Sequence, residues 1–179
     1  MQISARLLPA RLLLAAATLA LAQPAAAAVS PAVGKALQAA AKAAGAGNNA
    51  AAIAAINQAK GAASTSEEKL KTAQMAGYVF TRAGRYADAA RELESAGAPA
   101  GQLAPLYYRA GQYDKAIALA KSAGGEQNQI LVAQAYTRQG KHAQAVAAYN
   151  ALIKSNGAKP LYLENLAGAQ FKAGDKKGY

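Results

Sequence analysis

A glycine recurs along this chain inside a fixed setting, and that recurrence limits the available folds more than any other feature. Three segments line up closely: Ala83-Gly84-Arg85-Tyr86-Ala87-Asp88-Ala89-Ala90, Ala110-Gly111-Gln112-Tyr113-Asp114-Lys115-Ala116-Ile117 and Gln139-Gly140-Lys141-His142-Ala143-Gln144-Ala145-Val146. A weaker copy surrounds Gly47, and a fifth begins at Gly174. The glycine intervals of 37, 27, 29 and 34 residues lie in the range of helical repeat arrays. Seven residues before each glycine stands a small side chain (Ala40, Gly77, Ala104, Ala133, Ala167), and four before it stand Phe80, Tyr107 and Tyr136 in the middle units. Ala52, Ala89, Ala116 and Ala145 follow at five residues, and Ile56, Leu93, Ala120 and Tyr149 at nine. Spacings of three to four residues put these positions on one helical face. Glycine suits the left-handed position that ends a helix, and Arg82, Arg109, Arg138 and Lys172 precede it in the last turn. The pattern predicts antiparallel helix pairs repeated along an axis.

Composition agrees. Of the 179 residues 53 are alanine, Phe occurs twice and Trp is absent, which suits thin layers of closely approaching helices. No alternating β-branched run suggests a sheet. Helices are expected at Pro31–Ala44, Asn48–Gly61, Ser66–Ala83, Tyr86–Ala96, Pro99–Ala110, Tyr113–Ala123, Glu126–Gln139, His142–Ser155 and Pro160–Ala173. Ser64-x-x-Glu67 and Ser66-x-x-Lys69 compete as the cap of the third helix, Ser64 with Glu67 making the better capping box, and Pro99 and Pro160 fall in first helical turns. Pro105 predicts a kink or a late start in the fifth helix. The short intervals predict shortened helices between Pro99 and Ala123.

The pattern G-x-Y-x-x-A, preceded by a small residue and an aromatic, resembles the tetratricopeptide (TPR) repeat. Its carriers are Gly47, Gly84, Tyr86, Ala89, Gly111, Tyr113, Ala116, Gly140, Ala145 and Gly174, with Asn49 and His142 in place of the turn tyrosine. The chain also resembles the front part of uncharacterised proteobacterial secreted TPR proteins, through Val29–Lys35, Gln129–Tyr136 and Phe171–Tyr179. The resemblance implies an all-α, TPR-like α-solenoid of stacked antiparallel hairpins: a degenerate first pair over 29–63 and TPR-like repeats over 64–179, the last incomplete.

Residues 1–28 read as a signal peptide: Arg6 and Arg11, an apolar stretch from Leu12 to Ala22, then a small-residue exit with Ala26-x-Ala28 or Ala20-x-Ala22 as the cleavage motif. The apolar stretch is shorter than the roughly 20 residues of a spanning helix. A chain starting at Val29 carries 18 Lys+Arg against 9 Asp+Glu, a formal charge of +9. That excess favours anionic envelope surfaces or acidic peptides over nucleic acid, or forms a solvated surface without a partner. A periplasmic or secreted location is what the signal and the resemblance imply.

With no Cys and one His, thiol nucleophiles, disulfides and multi-imidazole metal sites are excluded. Gly45-x-Gly47-x-x-Ala50 mimics a dinucleotide fingerprint but follows a helix-like alanine run where a strand is required. Glu67-Glu68 and Glu92-x-Glu94 read as solvated faces or local ion pairs, and His142 as a packing substitute. No catalytic constellation, cofactor or metal is expected. Arg82, Arg109, Arg138 and Lys172 form a basic ladder suited to an acidic peptide, or complement their helix dipoles. Tyr78, Tyr108 and Gln134 flank the same path, or pack between units.

The leading expectation is a non-enzymatic interaction scaffold that accepts a peptide or helix in its inner groove. The alternatives are self-association through the last helix, with Leu161, Leu163, Leu166 and Phe171, and an activity residing in a C-terminal portion beyond Tyr179.

Overall fold

A computed structural model describes residues 29–174; the predicted signal peptide and the chain after Gly174 lie outside these residues. Among the described residues there are nine α-helices and no strand: α1 (Pro31–Gly45), α2 (Asn49–Ala62), α3 (Ser66–Arg82), α4 (Tyr86–Ser95), α5 (Ala100–Arg109), α6 (Tyr113–Ala123), α7 (Glu126–Arg138), α8 (His142–Asn156) and α9 (Pro160–Ala173). Each odd-numbered helix from α1 to α7 pairs with its successor, and each even-numbered helix packs on the first helix of the next pair. The middle pair is short, with 10 residues in α5 and 11 in α6.

The core is a chain of small clusters, not one centre. Ala40, Ala52, Ile56, Ala76, Phe80 and Ala89 join the first pair to the second. Leu93, Leu103, Tyr107 and Ala116 continue the series, followed by Ala104, Ile117, Ala120, Val132 and Ala135. Ala133, Ala145, Tyr149, Leu152, Tyr162 and Ala169 close it. Alanines at the recurring positions, Ala167 excepted, are fully buried because they let the helix backbones approach, and the larger side chains fill the remaining space. Tyr136 differs from Phe80 and Tyr107 in being only half-buried.

The turn inside each pair repeats almost without change. Gly47, Gly84, Gly111 and Gly140 have φ of 72–75°. In each, the glycine N–H bonds back to the third residue before it, and the following N–H donates to the carbonyl five residues back: Asn48 to Ala43, Arg85 to Phe80, Gln112 to Tyr107, Lys141 to Tyr136, all at 2.8–2.9 Å. These are Schellman closures. The residue that completes each closure is also the N-cap of the next helix, so one residue ends one helix and begins another. The links between pairs vary instead: Ala63-Ser64-Thr65, Ala96-Gly97-Ala98-Pro99, Gly124-Gly125 and Gly157-Ala158-Lys159. Gly174 directly follows α9, one residue nearer its helix than the other turn glycines.

Two expectations are corrected. The cap of α3 is Thr65 with Glu68, one residue beyond Ser64 with Glu67: Thr65 Oγ1 accepts from Glu68 N at 3.1 Å and Glu68 accepts from Thr65 N. Glu68 is consequently buried, at 3% exposure, while Glu67 pairs with Lys71 on the surface. Register decides this, because only Glu68 also reaches Ser64 and the backbone of Ser30. Pro99 is the N-cap of α5, outside its first turn. Pro105 lies within α5, which runs through it unbroken, its ring side exposed.

Candidate interaction surface

The first helices of the pairs carry two adjoining grooves. One, of about 390 Å³, is lined by Leu37 of α1 and by Lys71, Gln74, Met75 and Tyr78 of α3. The other, of about 330 Å³, lies between α3 and α5 and has Gln74, Gly77, Tyr78, Thr81, Gln102 and Leu106 among its walls. Gln74 and Tyr78 belong to both, so the two form one trough across three helices. Tyr78 is 46% exposed at its centre. Four of the six α3 residues that line it recur every three or four positions (71, 74, 78, 81), as on one helical stripe, with Met75 and Gly77 beside them.

The other predicted site residues are placed differently. Arg82 Nη2 donates to the Ala44 carbonyl at 3.2 Å, capping the end of α1. Arg109 Nη1 donates to the Tyr86 hydroxyl at 3.1 Å and stacks over its ring at 5.3 Å. Arg138 Nε donates to the Tyr108 hydroxyl at 3.4 Å, a contact that raises the guanidinium pKa. Tyr108 itself meets Tyr113 edge-on at 5.6 Å. Each arginine therefore reaches back to an earlier helix, and none of the three lines either groove. Lys172 is exposed at the end of α9, and Gln134 is half-buried on α7, away from Tyr78 and the trough it centres.

The acids are taken up elsewhere. Lys60 pairs with Glu92 from α2 to α4, Lys115 with Glu94 at 2.9 Å from α6 to α4, and Lys141 with Asp114 at 3.2 Å between α8's N-cap and α6. Lys159 and Glu126, at 2.5 Å, join the entrances of α9 and α7. Two of these contacts include a tyrosine. The Tyr107 hydroxyl donates to Glu94 at 2.5 Å while Lys115 Nζ lies 4.2 Å from the ring centre. Tyr162 donates to Glu126 with Lys159 over its ring. Hydrogen bonds from Lys115 and then Tyr107 hold the Glu94 carboxyl below its ordinary range, and Lys159 and Tyr162 do the same for Glu126. Burial, followed by the Glu94 contact, pushes the Tyr107 hydroxyl up. Asp114 is lowered by Gln139 and Lys141. These carboxylates are committed between pairs, and Lys71, the charged residue that lines the trough, is paired with Glu67.

A larger groove, of about 470 Å³, opens between α6 and α8 over α7, lined by Ala120, Val132, Tyr136, Ala148 and Leu152 among others. Among the described residues no group of three His, Cys, Asp or Glu side chains could hold a metal ion, and no helix is long and apolar enough to cross a membrane.

No family model and no curated protein matches the chain. Solved structures do. MamA MSR-1 is 15% identical with a TM-score of 0.55, over 80% of this chain and 87% of that one. MamA AMB-1 is likewise 15% identical with a TM-score of 0.54, over 80% and 83%. At that identity the likeness concerns the fold, and the chain is an all-α, TPR-like solenoid of stacked helical hairpins.

Proposed function

We propose that the chain is a non-enzymatic interaction scaffold of the cell envelope, exported by its N-terminal segment, that holds an extended or helical peptide in the trough centred on Tyr78. The observation that carries this reading is the continuity of the trough across α1, α3 and α5, with an exposed tyrosine at its centre. A partly apolar floor with a few amide and hydroxyl groups suits side chains of a bound segment, and a rigid aromatic makes a good anchor. The excess of Lys and Arg over Asp and Glu adds a preference for acidic segments through steering more than through affinity. The TPR-like fold supports the class of function, since stacked hairpins present a long surface without needing catalytic groups.

The test is capture of partners from envelope extract by the chain and by Tyr78→Ala. Tyr78 is half exposed, so helicity by circular dichroism should stay unchanged while the captured partner is lost. Equal capture by both chains rejects the trough.

A second reading has its own support. Leu161 (54% exposed), Leu163 (48%) and Phe171 (65%) leave apolar surface on α9, which favours self-association. Sedimentation at tens of micromolar decides it: a mass that rises with concentration supports this reading, and a constant monomer mass removes it.

A further inference from the structure

Glu68 is 3% exposed, and its carboxylate is bound by donors from two separate parts of the chain. Oε2 accepts from Ser64 N at 2.9 Å, Ser64 Oγ at 3.1 Å and Thr65 N at 3.1 Å, all at the entrance of α3. Oε1 accepts from Ser30 N at 2.9 Å, the N-cap of α1, whose own side chain makes no capping bond. The carboxylate therefore lies at two helix N-termini and caps both, which stabilises its charge. Its donors are nevertheless neutral, and among the described residues no cation pairs with it. Buried carboxylates ordinarily have a cationic partner. The Ser30 side chain also hydrogen-bonds the carboxylate, again through a neutral donor.

The missing cation has an evident source. Val29 is half-buried and stands one residue before the Ser30 donor, a Cα step of about 3.8 Å. We propose that the export segment is cut between Ala28 and Val29, and that the new α-ammonium group of Val29 pairs with Glu68 to complete the clasp between the entrances of α1 and α3. In the cut, a processing peptidase adds water across the Ala28–Val29 peptide bond: Ala28 keeps the carbonyl as a carboxylate, and the Val29 nitrogen leaves as an ammonium. Ala26-x-Ala28 meets the small-x-small requirement. Cleavage after Ala22 would leave six residues, 23–28, ahead of Val29 and its nitrogen an amide, with the new charge far from Glu68 along the chain.

The inference rests on the export part of the proposed function and is independent of the trough. The full 179-residue chain is produced in a bacterium with a general secretory pathway, and the product is weighed intact. A first residue of Val29 is expected. A first residue of Gln23 overturns the cleavage site and leaves export standing, whereas an uncut product overturns both. The pairing is read separately, from the titration of the Val29 α-amine in the processed chain. It should lie above the ordinary range of about 7.7–8.0, with acylation at pH 8 about tenfold slower than in the denatured chain. Glu68→Gln should restore ordinary titration; so should two alanines added before Val29, a change that retains Glu68 in case the first variant does not fold. An ordinary α-amine in the Val29 chain overturns the pairing.

Discussion

Gly77 and Leu93 occupy recurring positions, seven before and nine after the turn glycine. In the pairs with Ala40 or Ala104 at the first position, the second is Ile56 or Ala120, and an alanine fits. At Gly77 it does not: a Cβ would lie 2.5 Å from Leu93 Cγ and under 3 Å from both its methyl carbons. Gly77→Ala should therefore destabilise the chain by about 1–3 kcal/mol, the usual cost of overpacking. Urea unfolding checks it, and adding Leu93→Ala should make the Gly77→Ala change nearly neutral or stabilising, because the cavity then receives the methyl. The same scale shows what sequence reading catches and misses. The small-residue position at Gly77 was legible because it recurs. Glu68 was not, because Ser64, Thr65 and Ser66 all offer plausible caps, and the choice is made by Ser30, 38 residues away.

At the level of the helix pair, the turn is the invariant part and the link between pairs is the variable one. Each turn depends on a glycine with φ near +73°, where an alanine costs about 1–2 kcal/mol. Gly84→Ala should lower stability by that amount, and Gly84→Asn by less, as asparagine tolerates the left-handed region better; thermal unfolding of the two variants distinguishes them. No neighbour lies within 4 Å of a Cβ at Gly84, so the effect belongs to the backbone and not to a clash. By contrast, the ion pairs that join successive pairs are largely exposed. Lys115→Met should cost no more than about 1 kcal/mol through the loss of its contact with Glu94, the range of surface salt bridges.

For the whole molecule, the distribution of core clusters along an axis predicts unequal stability. α9 packs on α8 and keeps exposed Leu161, Leu163 and Phe171, so amide exchange should be fastest there and slowest in the central α3–α7 stretch. Uniform protection from α1 to α9 would contradict this. The charge network sets a pH window. The Glu68, Asp88, Glu94, Asp114 and Glu126 carboxyls are lowered in the folded chain, so what they contribute is fully present above the ordinary carboxylate pKa of about 4–4.5 and is lost as pH falls through and below it. Tyr107, Lys115, Lys159 and Tyr162 are raised, so their contribution is complete below about pH 10 and is lost above. Melting temperature of the uncut chain, which has no Val29 α-ammonium, should be flat between about pH 5 and 10 and fall on either side.

The recurring glycine, its small and aromatic companions and the alanine content were enough to determine helices, their pairing and their order, because a local period of 3.6 residues and a left-handed glycine are encoded within a few positions of each other. What lies between distant segments was decided only in three dimensions. The arginines expected to form a ladder bond to Ala44, Tyr86 and Tyr108 of earlier helices, and the trough forms around Tyr78 with Gln74 and Leu106, residues without a distinctive local pattern. Which side of a helix remains open depends on how closely its neighbours approach, and that distance is set by side chains dozens of residues away.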